Sequence, residues 1–386
     1  MPSVNDIVAV AEALEKSPVA VAQDRCVVVR NRNASCRRCV RACAVGAIEV
    51  VDNEVHLDAS SCNGCAACTA VCPTEALVPL APTDAALAGA AAAAMERNGG
   101  RAVFACARIS AKRQADPACY AEVACLPRMD ESLVLELVSR GAEEVLFVDG
   151  DCPTCKFRDC TSHLDALVES INGLIAAHGG VARVSRVTGF PEDMIAESTE
   201  GMFGTTRRGF FSEAVSTAKD TAMTAARTTL AQELGYAQAT PQIGERLRIT
   251  PGGTLPLVPV ERHEAAINAL DAIGAPVVER IDSRLFGSVE IDVEKCNACG
   301  MCAVFCPTGA LSRDAADKPN APLRYLEFSA ADCVQCGLCV DVCWKRALKL
   351  DSSVSAEELY DFEPVLFDLS NAKRQTNALF GKTSAK

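Results

Sequence analysis

The chain lacks any hydrophobic run long enough to cross a membrane. Its longest uncharged apolar stretch, Ala85 to Met95, is alanine-rich and too short to span a bilayer. The N-terminal segment MPSVNDIVAVAEALEKSP carries acidic side chains where a secretory signal would be basic, and it has no long apolar core. We therefore expect a cytoplasmic protein with no membrane span, although peripheral association stays open.

Basic blocks and nucleotide-binding fingerprints are also missing. The net charge is −12 without any cluster of lysine and arginine, which argues against nucleic acid as a partner. No glycine-rich phosphate loop, dinucleotide fingerprint or paired-carboxylate arrangement stands out, so flavin or nicotinamide binding within this chain is not expected. The four histidines are scattered and are not expected to be ligands, although His163 lies close to a cysteine.

Cysteine, in contrast, is abundant. The 386 residues contain 22 cysteines, many more than a chain of this size usually carries. Without an export signal, metal binding is a better explanation than disulfides. The spacing of the cysteines supports this choice.

Two segments near the ends form an internal repeat. They read SCNGCAACTAVCPTEAL (61–77) and KCNACGMCAVFCPTGAL (295–311), and from the first cysteine nine of sixteen positions are identical. Each has the spacing C-x2-C-x2-C-x3-C-P, which holds [4Fe–4S] clusters. Three thiolates on a tight loop can bind three corners of a cubane, while the fourth cysteine of the run binds the neighbouring cluster.

Each repeat is accompanied by the second motif that this geometry requires. DCVQCGLCVDVCWKRAL has normal spacing, with Trp344 where proline is usual. RCVVVRNRNASCRRCVRACAVGAI has its first cysteine displaced upstream to Cys26 by an insertion, and Ala44 replaces the proline. Crossing the fourth ligands predicts four [4Fe–4S] sites, held by Cys26, Cys36, Cys39 and Cys72; by Cys62, Cys65, Cys68 and Cys43; by Cys296, Cys299, Cys302 and Cys343; and by Cys333, Cys336, Cys339 and Cys306.

Both ends resemble bacterial-type dicluster ferredoxin domains. The resemblance implies a small βαββαβ fold around each pair of clusters, an α+β architecture. Two alternatives remain open: structural zinc in place of iron and sulfide, and a [3Fe–4S] cluster without Cys26 at the first site. Segments of this size build little core, so the clusters are expected to hold each fold together.

The middle of the chain has a different pattern. RAVFACA, EVACL and EEVLFVDG are short continuous apolar runs, typical of strands buried on both faces of a parallel sheet, and VARVSRVTG is a candidate fourth strand. Amphipathic helical stripes follow the second and third runs and end at Gly141 and Gly179. This alternation predicts an open α/β parallel-sheet domain.

Cysteines follow the predicted strands of this domain. Cys106 and Cys125 end the first two strands, and CPTCKFRDC follows the third. Because the carboxyl ends of parallel strands share one edge, these thiols are expected to converge, with Cys119 less certain to join them. The arrangement resembles the delta subunit of methyl-viologen-reducing hydrogenases, a family that passes electrons through a [2Fe–2S] centre, although the CPTCKFRDC loop differs from the family's version.

Three interpretations of CPTCKFRDC compete. The first is a fifth iron–sulfur centre held by Cys106, Cys125, Cys152 and Cys155, for which the resemblance implies a [2Fe–2S] cluster. The second is a redox dithiol, since CPTC resembles the C-x-x-C of thioredoxin-like proteins. The third is a set of buried or leftover thiols in a degenerate module.

The predicted organisation is two ferredoxin-like cluster domains flanking the α/β domain, with a helical connector. Within the connector, Phe210 and Phe211 begin a predicted amphipathic helix, and a second helix is predicted from Glu261 to Ile273. The segments are an N-terminal helix (1–21), a dicluster domain (22–82), an Ala-rich linker (83–98), the α/β domain (99–195), the helical connector (196–285), a second dicluster domain (286–350) and a C-terminal tail (351–386).

These features predict an electron-transfer subunit of an oxidoreductase complex that has no catalytic residues of its own. It would relay single electrons between a partner of the flavin, hydrogenase or molybdenum type and an acceptor. One alternative is an oxidoreductase whose middle thiols or cluster form a substrate site, as in heterodisulfide reductases. Another is an iron–sulfur carrier or maturation protein.

Overall fold

The structure is a computed structural model, and it describes residues 18–161, 163–198, 202, 247–251, 253–313 and 323–372. The chain divides into two compact units. The first unit consists of Met1–Cys26, Arg37–Arg246 and Val260–Val278, and the second of Val27–Cys36, Leu247–Pro259 and Glu279–Lys386.

The N-terminal region has the strand and helix order expected of a dicluster ferredoxin domain. Its elements are β1 (Val19–Val21), α1 (Val27–Arg30), α2 (Arg38–Ala42), β2 (Ile48–Val51), β3 (Glu54–Leu57), α3 (Ala67–Ala70) and β4 (Leu77–Pro79). Strand β1 pairs with β4 and β2 with β3, both antiparallel. A helix is predicted over residues 1–21, but its last residues, Val19–Val21, form strand β1. Residues 1–17 lie outside the described part.

A four-stranded parallel sheet forms the centre of the first unit, which confirms the predicted parallel sheet. Its strands lie in the order β6-β5-β7-β8. Phe104 and Phe147 on the two central strands are fully buried and meet edge to face, with ring centroids 6.0 Å apart. The elements of this region are α4 (Asp84–Arg97), β5 (Arg101–Cys106), α5 (Ala107–Ser110), β6 (Ala121–Val123), α6 (Glu131–Ser139), β7 (Glu144–Asp149), α7 (Leu164–Ala177) and β8 (Arg183–Thr188).

The Ala-rich segment assigned to a linker is helix α4, which packs on β5 and β6. Thr83 caps its first turn by accepting a hydrogen bond from the Ala86 N–H, at 3.2 Å. Leu87 and Ala91 are buried against the sheet. Alanine has the highest helix propensity and allows a close approach to the strands, so a run that reads as a low-complexity spacer is part of the core.

The predicted helix from Glu261 to Ile273 is α8, which ends at Gly274 and lies against α6. Helix α8 belongs to the first unit. The helix predicted to begin at Phe210 lies outside the described residues.

The second unit repeats the βαββαβ order and adds strands at its edges. Its elements are β9 (Arg280–Asp282), β10 (Ser288–Ile291), α9 (Met301–Phe305), β11 (Leu311–Arg313), β12 (Tyr325–Phe328), α10 (Leu338–Val342), β13 (Leu348–Asp351), β14 (Ser353–Ser355), α11 (Ala356–Tyr360) and β15 (Val365–Asp368). Strand β10 pairs with β13, and β11 pairs with β12.

The predicted C-terminal tail (351–386) is part of this fold over its described residues. Strand β15 pairs with β12, and β14 pairs with β9. The side chains of Val354 and Leu359 are fully buried. None of the helices in the described ranges is long and apolar enough to cross a membrane.

Candidate metal centres

Three of the four cysteine motifs share one backbone shape. In each, both gaps between the first three cysteines contain a residue in the left-handed region, with φ between 51° and 79°. These residues are Gly64 and Ala66, Ala298 and Gly300, and Gln335 and Gly337. Left-handed residues between helical ones turn successive backbone N–H groups towards a common centre, which suits the negatively charged sulfurs of an iron–sulfur cluster.

The first N-terminal motif departs from this shape. None of the residues between Cys26 and Cys43 has a positive φ, so the insertion replaces the usual loop. Cys36 belongs to the second unit, whereas Cys26, Cys39 and Cys72 belong to the first. The ligand set of Cys26, Cys36, Cys39 and Cys72 therefore remains a prediction from spacing.

The fourth cysteine of every motif accepts a backbone hydrogen bond. A left-handed residue three positions further on turns the chain so that a later N–H points back at the sulfur. The N–H···Sγ distances are 3.2 Å from Ala47 to Cys43, 3.2 Å from Ala76 to Cys72, 3.4 Å from Leu311 to Cys306 and 3.3 Å from Ala347 to Cys343. Because the turn also forms after Ala44 and Trp344, it does not require the usual proline.

The structure brings Cys43 to the second N-terminal motif, as the crossed pattern requires. Burial raises the pKa of the Cys68 thiol to about 12, and so do its neighbours, the thiols of Cys39, Cys43 and Cys62. Cys65 lies beside Cys68 in the same loop. The predicted set of Cys62, Cys65, Cys68 and Cys43 is thus grouped in space.

Both predicted C-terminal sets are grouped in the same crossed way. Burial and neighbouring thiols raise the pKa of Cys302, and these neighbours are Cys299, Cys296 and Cys343. Burial likewise raises the pKa of Cys339, and so do neighbouring thiols that include Cys336, Cys333 and Cys306. Each set lines its own pocket, of about 350 Å³ for the first and about 330 Å³ for the second.

These residues fit iron–sulfur clusters chemically. The sulfurs are crowded and buried, and backbone N–H groups already point at several of them, so iron is needed to bring all four thiols into the thiolate form. Among the described residues, no three histidine, cysteine or acidic side chains are close enough to hold a single metal ion. The four thiolates of a cubane bind four different iron atoms and are spaced more widely than the ligands of one ion.

The thiols of the central domain also converge. Cys106, Cys125, Cys152 and Cys155 line one pocket of about 370 Å³ at the carboxyl edge of the parallel sheet. Burial raises the pKa of the Cys125 thiol, as do the surrounding thiols, including Cys106, Cys152 and Cys155. This pocket is close in size to the two that the C-terminal cysteine sets line.

The remaining central cysteines lie elsewhere. Cys160 is 2% exposed and packs with Cys65, Cys125 and Phe157 in one buried cluster. Cys119, in the loop before β6, does not line the pocket. Its carbonyl accepts a hydrogen bond from the Asn98 amide, at 2.5 Å. His163 lies against the Pro127 carbonyl, with Nε2 at 3.3 Å from the oxygen.

The CPTC segment does not sit at the start of a long helix. Cys152–Thr154 form a short 3₁₀ turn, and α7 begins later, at Leu164. Burial and the nearby Asp149 raise the pKa of Cys152, against the opposing effect of Arg186. A thioredoxin-like dithiol relies on a helix N-terminus to lower the thiol pKa, so the redox-dithiol interpretation lacks its physical basis here.

A buried ionic cluster connects this region to the ferredoxin fold, and sequence reasoning missed it. Asp130 Oδ2 lies 3.8 Å from the Arg128 guanidinium and 3.6 Å from that of Arg262. Arg262 in turn donates a hydrogen bond to the Thr69 carbonyl in α3, at 2.8 Å. Because these residues are far apart in the sequence, no local pattern could have indicated the cluster.

Comparison with known proteins supports the iron–sulfur assignment. A family model for the 4Fe-4S dicluster domain matches residues 34–76 and 295–347. No curated protein matches the chain. The two dicluster matches imply up to four [4Fe–4S] clusters and an electron-transfer role.

Crossed ligation makes a prediction about iron content. Since Cys302 and Cys343 are assigned to one cluster, a double Cys302→Ala, Cys343→Ala variant should lose the iron of one cubane, about four atoms per chain. The Cys339→Ala, Cys343→Ala variant, which touches two clusters, should lose about eight. Iron and acid-labile sulfide analysis measures both. Uncrossed ligation would reverse the two results.

Proposed function

We propose that this chain is a non-catalytic electron-transfer subunit of an oxidoreductase complex. It relays single electrons between a redox partner, of the flavin, hydrogenase or molybdenum type, and an acceptor. The observation that carries the proposal is the pair of dicluster domains. In the three sets whose thiols lie together, the cysteines supply a full complement of four ligands, which leaves no iron position open to a substrate.

The chain's own residues hold and tune these centres. A [4Fe–4S] cluster, when bound, takes up or releases one electron. The backbone N–H groups of Ala47, Ala76 and Ala347 donate to ligand sulfurs and so favour the reduced, more negative form. Cys299 is the one exposed thiol among the 22 cysteines, all of which lie in the described ranges. The cluster bound by the ligand set of Cys299 is therefore the best candidate for electron exchange with a partner protein.

A fifth iron–sulfur centre in the central pocket is part of this proposal. Cys106, Cys125, Cys152 and Cys155 would be its ligands, and a [2Fe–2S] cluster is the type that the hydrogenase delta-subunit resemblance suggests. Support comes from the pocket that these four cysteines share at the carboxyl edge of the sheet.

Iron analysis of the purified chain tests this fifth centre. Four cubanes require about 16 iron atoms per chain, and a [2Fe–2S] centre raises this to about 18. The Cys152→Ser, Cys155→Ser double variant should lose the additional iron alone, whereas Cys119→Ser serves as the matched control and should keep all of it. A double variant that keeps all its iron would rule the centre out.

An electron relay and a substrate-reducing enzyme differ in the kind of molecule that takes electrons from the reduced chain. The alternative, favoured by the thiol-lined central pocket, is an oxidoreductase that reduces a substrate such as a disulfide there. We expect the dithionite-reduced chain to return about one electron per cluster to a one-electron dye acceptor. Disulfides should not be turned over with a reduced viologen dye as donor. Sustained dye oxidation on adding a disulfide would overturn the relay proposal.

A further inference from the structure

The Cys160 side chain packs against the loop that carries Cys65, and it does not line the central pocket. The Cys160 and Cys65 side chains pack in the same buried cluster. The Asn63 amide nitrogen, which belongs to the same loop as Cys65, lies 3.7 Å from the Cys160 sulfur. Cys160 is buried, so water does not compete for these contacts.

Asn63 also fixes the loop itself. Its side-chain oxygen accepts a hydrogen bond from the Cys65 N–H, at 3.2 Å, while its amide nitrogen faces Cys160. On the other side, the Cys160 N–H donates to the Phe157 carbonyl, at 2.9 Å. The backbone N–H groups of Cys65 and Cys160 are thus both hydrogen-bonded, which fixes the positions of the two residues.

We propose that Cys160 is a positioning residue that donates an S–H···S hydrogen bond to Cys65 and raises the potential of the cubane held by Cys43, Cys62, Cys65 and Cys68. The inference rests on the proposed iron–sulfur function of that ligand set. When Cys65 is an iron ligand its sulfur has lost its proton, so the Cys160 thiol must be the donor. A donor to a ligand sulfur stabilises the reduced cluster, which carries more negative charge.

The same contact joins the cubane loop to the central pocket. Cys125 lines that pocket and packs against Cys160 in one buried cluster with Cys65. One buried cluster therefore contains a residue of the cubane's ligand set, Cys65, and a residue of the central pocket, Cys125.

Redox titration of three variants followed by EPR tests the tuning role. Cys160→Ala removes the donor, Cys160→Ser retains one, and Cys119→Ala is a control for the loss of a thiol outside both sites. We expect Cys160→Ala to lower the cubane's equilibrium constant for reduction by about three- to tenfold, the range of a single net hydrogen bond. Cys160→Ser should recover part of the loss, and Cys119→Ala should change nothing. The signal of this cubane is identified as the one altered in Cys43→Ala.

Either of two results with the variant would overturn the inference. If Cys160→Ala loses iron, then Cys160 is a ligand rather than a donor, and if the potential is unchanged, it does not tune the cubane. A measurement on the native chain covers the case in which a variant fails to fold. Infrared difference spectra of the reduced and oxidised chain should contain an S–H stretching band that shifts in D2O, and its absence would also reject the inference. Absence of any cubane signal in the native chain would instead reject the proposed function.

Discussion

Chelating the iron of the intact chain should unfold both dicluster regions and leave the central parallel sheet folded. Apart from the three-stranded sheet β11-β12-β15, the ferredoxin repeats consist of two-stranded pairings, and their helices have four or five residues. Such small sheets are marginally stable by themselves, so the clusters must supply much of the stability. The central strands β5 and β7, in contrast, are buried over five of their six residues, and helices α4 and α6 pack on them.

Hydrogen exchange with peptide-level resolution measures this difference. After chelation, amides of β2, β3, β10 and β13 should lose protection, while those of β5 and β7 retain it. Adding back iron and sulfide under reducing conditions should restore the lost protection. Full protection of the ferredoxin strands without iron would contradict the view that the clusters hold them together, and complete loss everywhere would show that the central domain depends on them as well.

Replacing Asp130 by alanine should reduce the free energy of unfolding of the first unit by about 3–5 kcal/mol. The side chain is buried beside two guanidinium groups, and its removal takes a carboxylate from both: Arg262 loses this partner, and Arg128 keeps its ion pair with Asp84. It also caps α6, because its Oδ1 accepts a hydrogen bond from the Leu133 N–H, at 3.2 Å. The loss of one carboxylate therefore weakens a helix, a charge cluster and the connection of α8 to α3.

The exposed carboxylate of Asp165 provides the matched control. It also pairs with an arginine, since Arg186 Nη1 lies 3.0 Å from its Oδ1, but its side chain is 85% exposed. An exposed pair contributes about 0–1 kcal/mol, so Asp165→Ala should be close to neutral. Exchange rates of the slowest central-sheet amides give both free energies. Equal effects of the two substitutions would show that burial of Asp130 does not govern its contribution.

The pH dependence of the Asp130 contribution follows from its environment. Burial opposes ionisation, but the guanidinium groups of Arg262 and Arg128 outweigh it and keep the pKa of Asp130 below its usual range. A carboxyl whose folded pKa is lowered contributes stability above its unfolded pKa and loses it as the pH falls towards the folded value. At neutral pH the contribution is complete, which makes neutral buffer the right condition for the comparison.

Much of this architecture could be predicted from local sequence patterns. Cysteine spacing alone indicated the ligand sets, because a cubane loop is short and its geometry depends on residues two or three positions apart. Continuous apolar runs predicted the parallel sheet, and the rule that its strand ends share one edge brought Cys106, Cys125, Cys152 and Cys155 together. The Ala-rich helix and the C-terminal strand were missed, because their roles depend on what they pack against.

The sequence by itself determined which residues are suited to bind iron, since that depends on short-range spacing. Only the tertiary structure decided which sites are neighbours. Cys160 of CPTCKFRDC is not part of the ligand set predicted for the central domain, yet it packs with Cys65, a residue of another motif. The cluster of Arg128, Asp130 and Arg262 likewise joins separate elements. Such contacts depend on how the elements pack, and packing between distant segments leaves no local signal in the sequence.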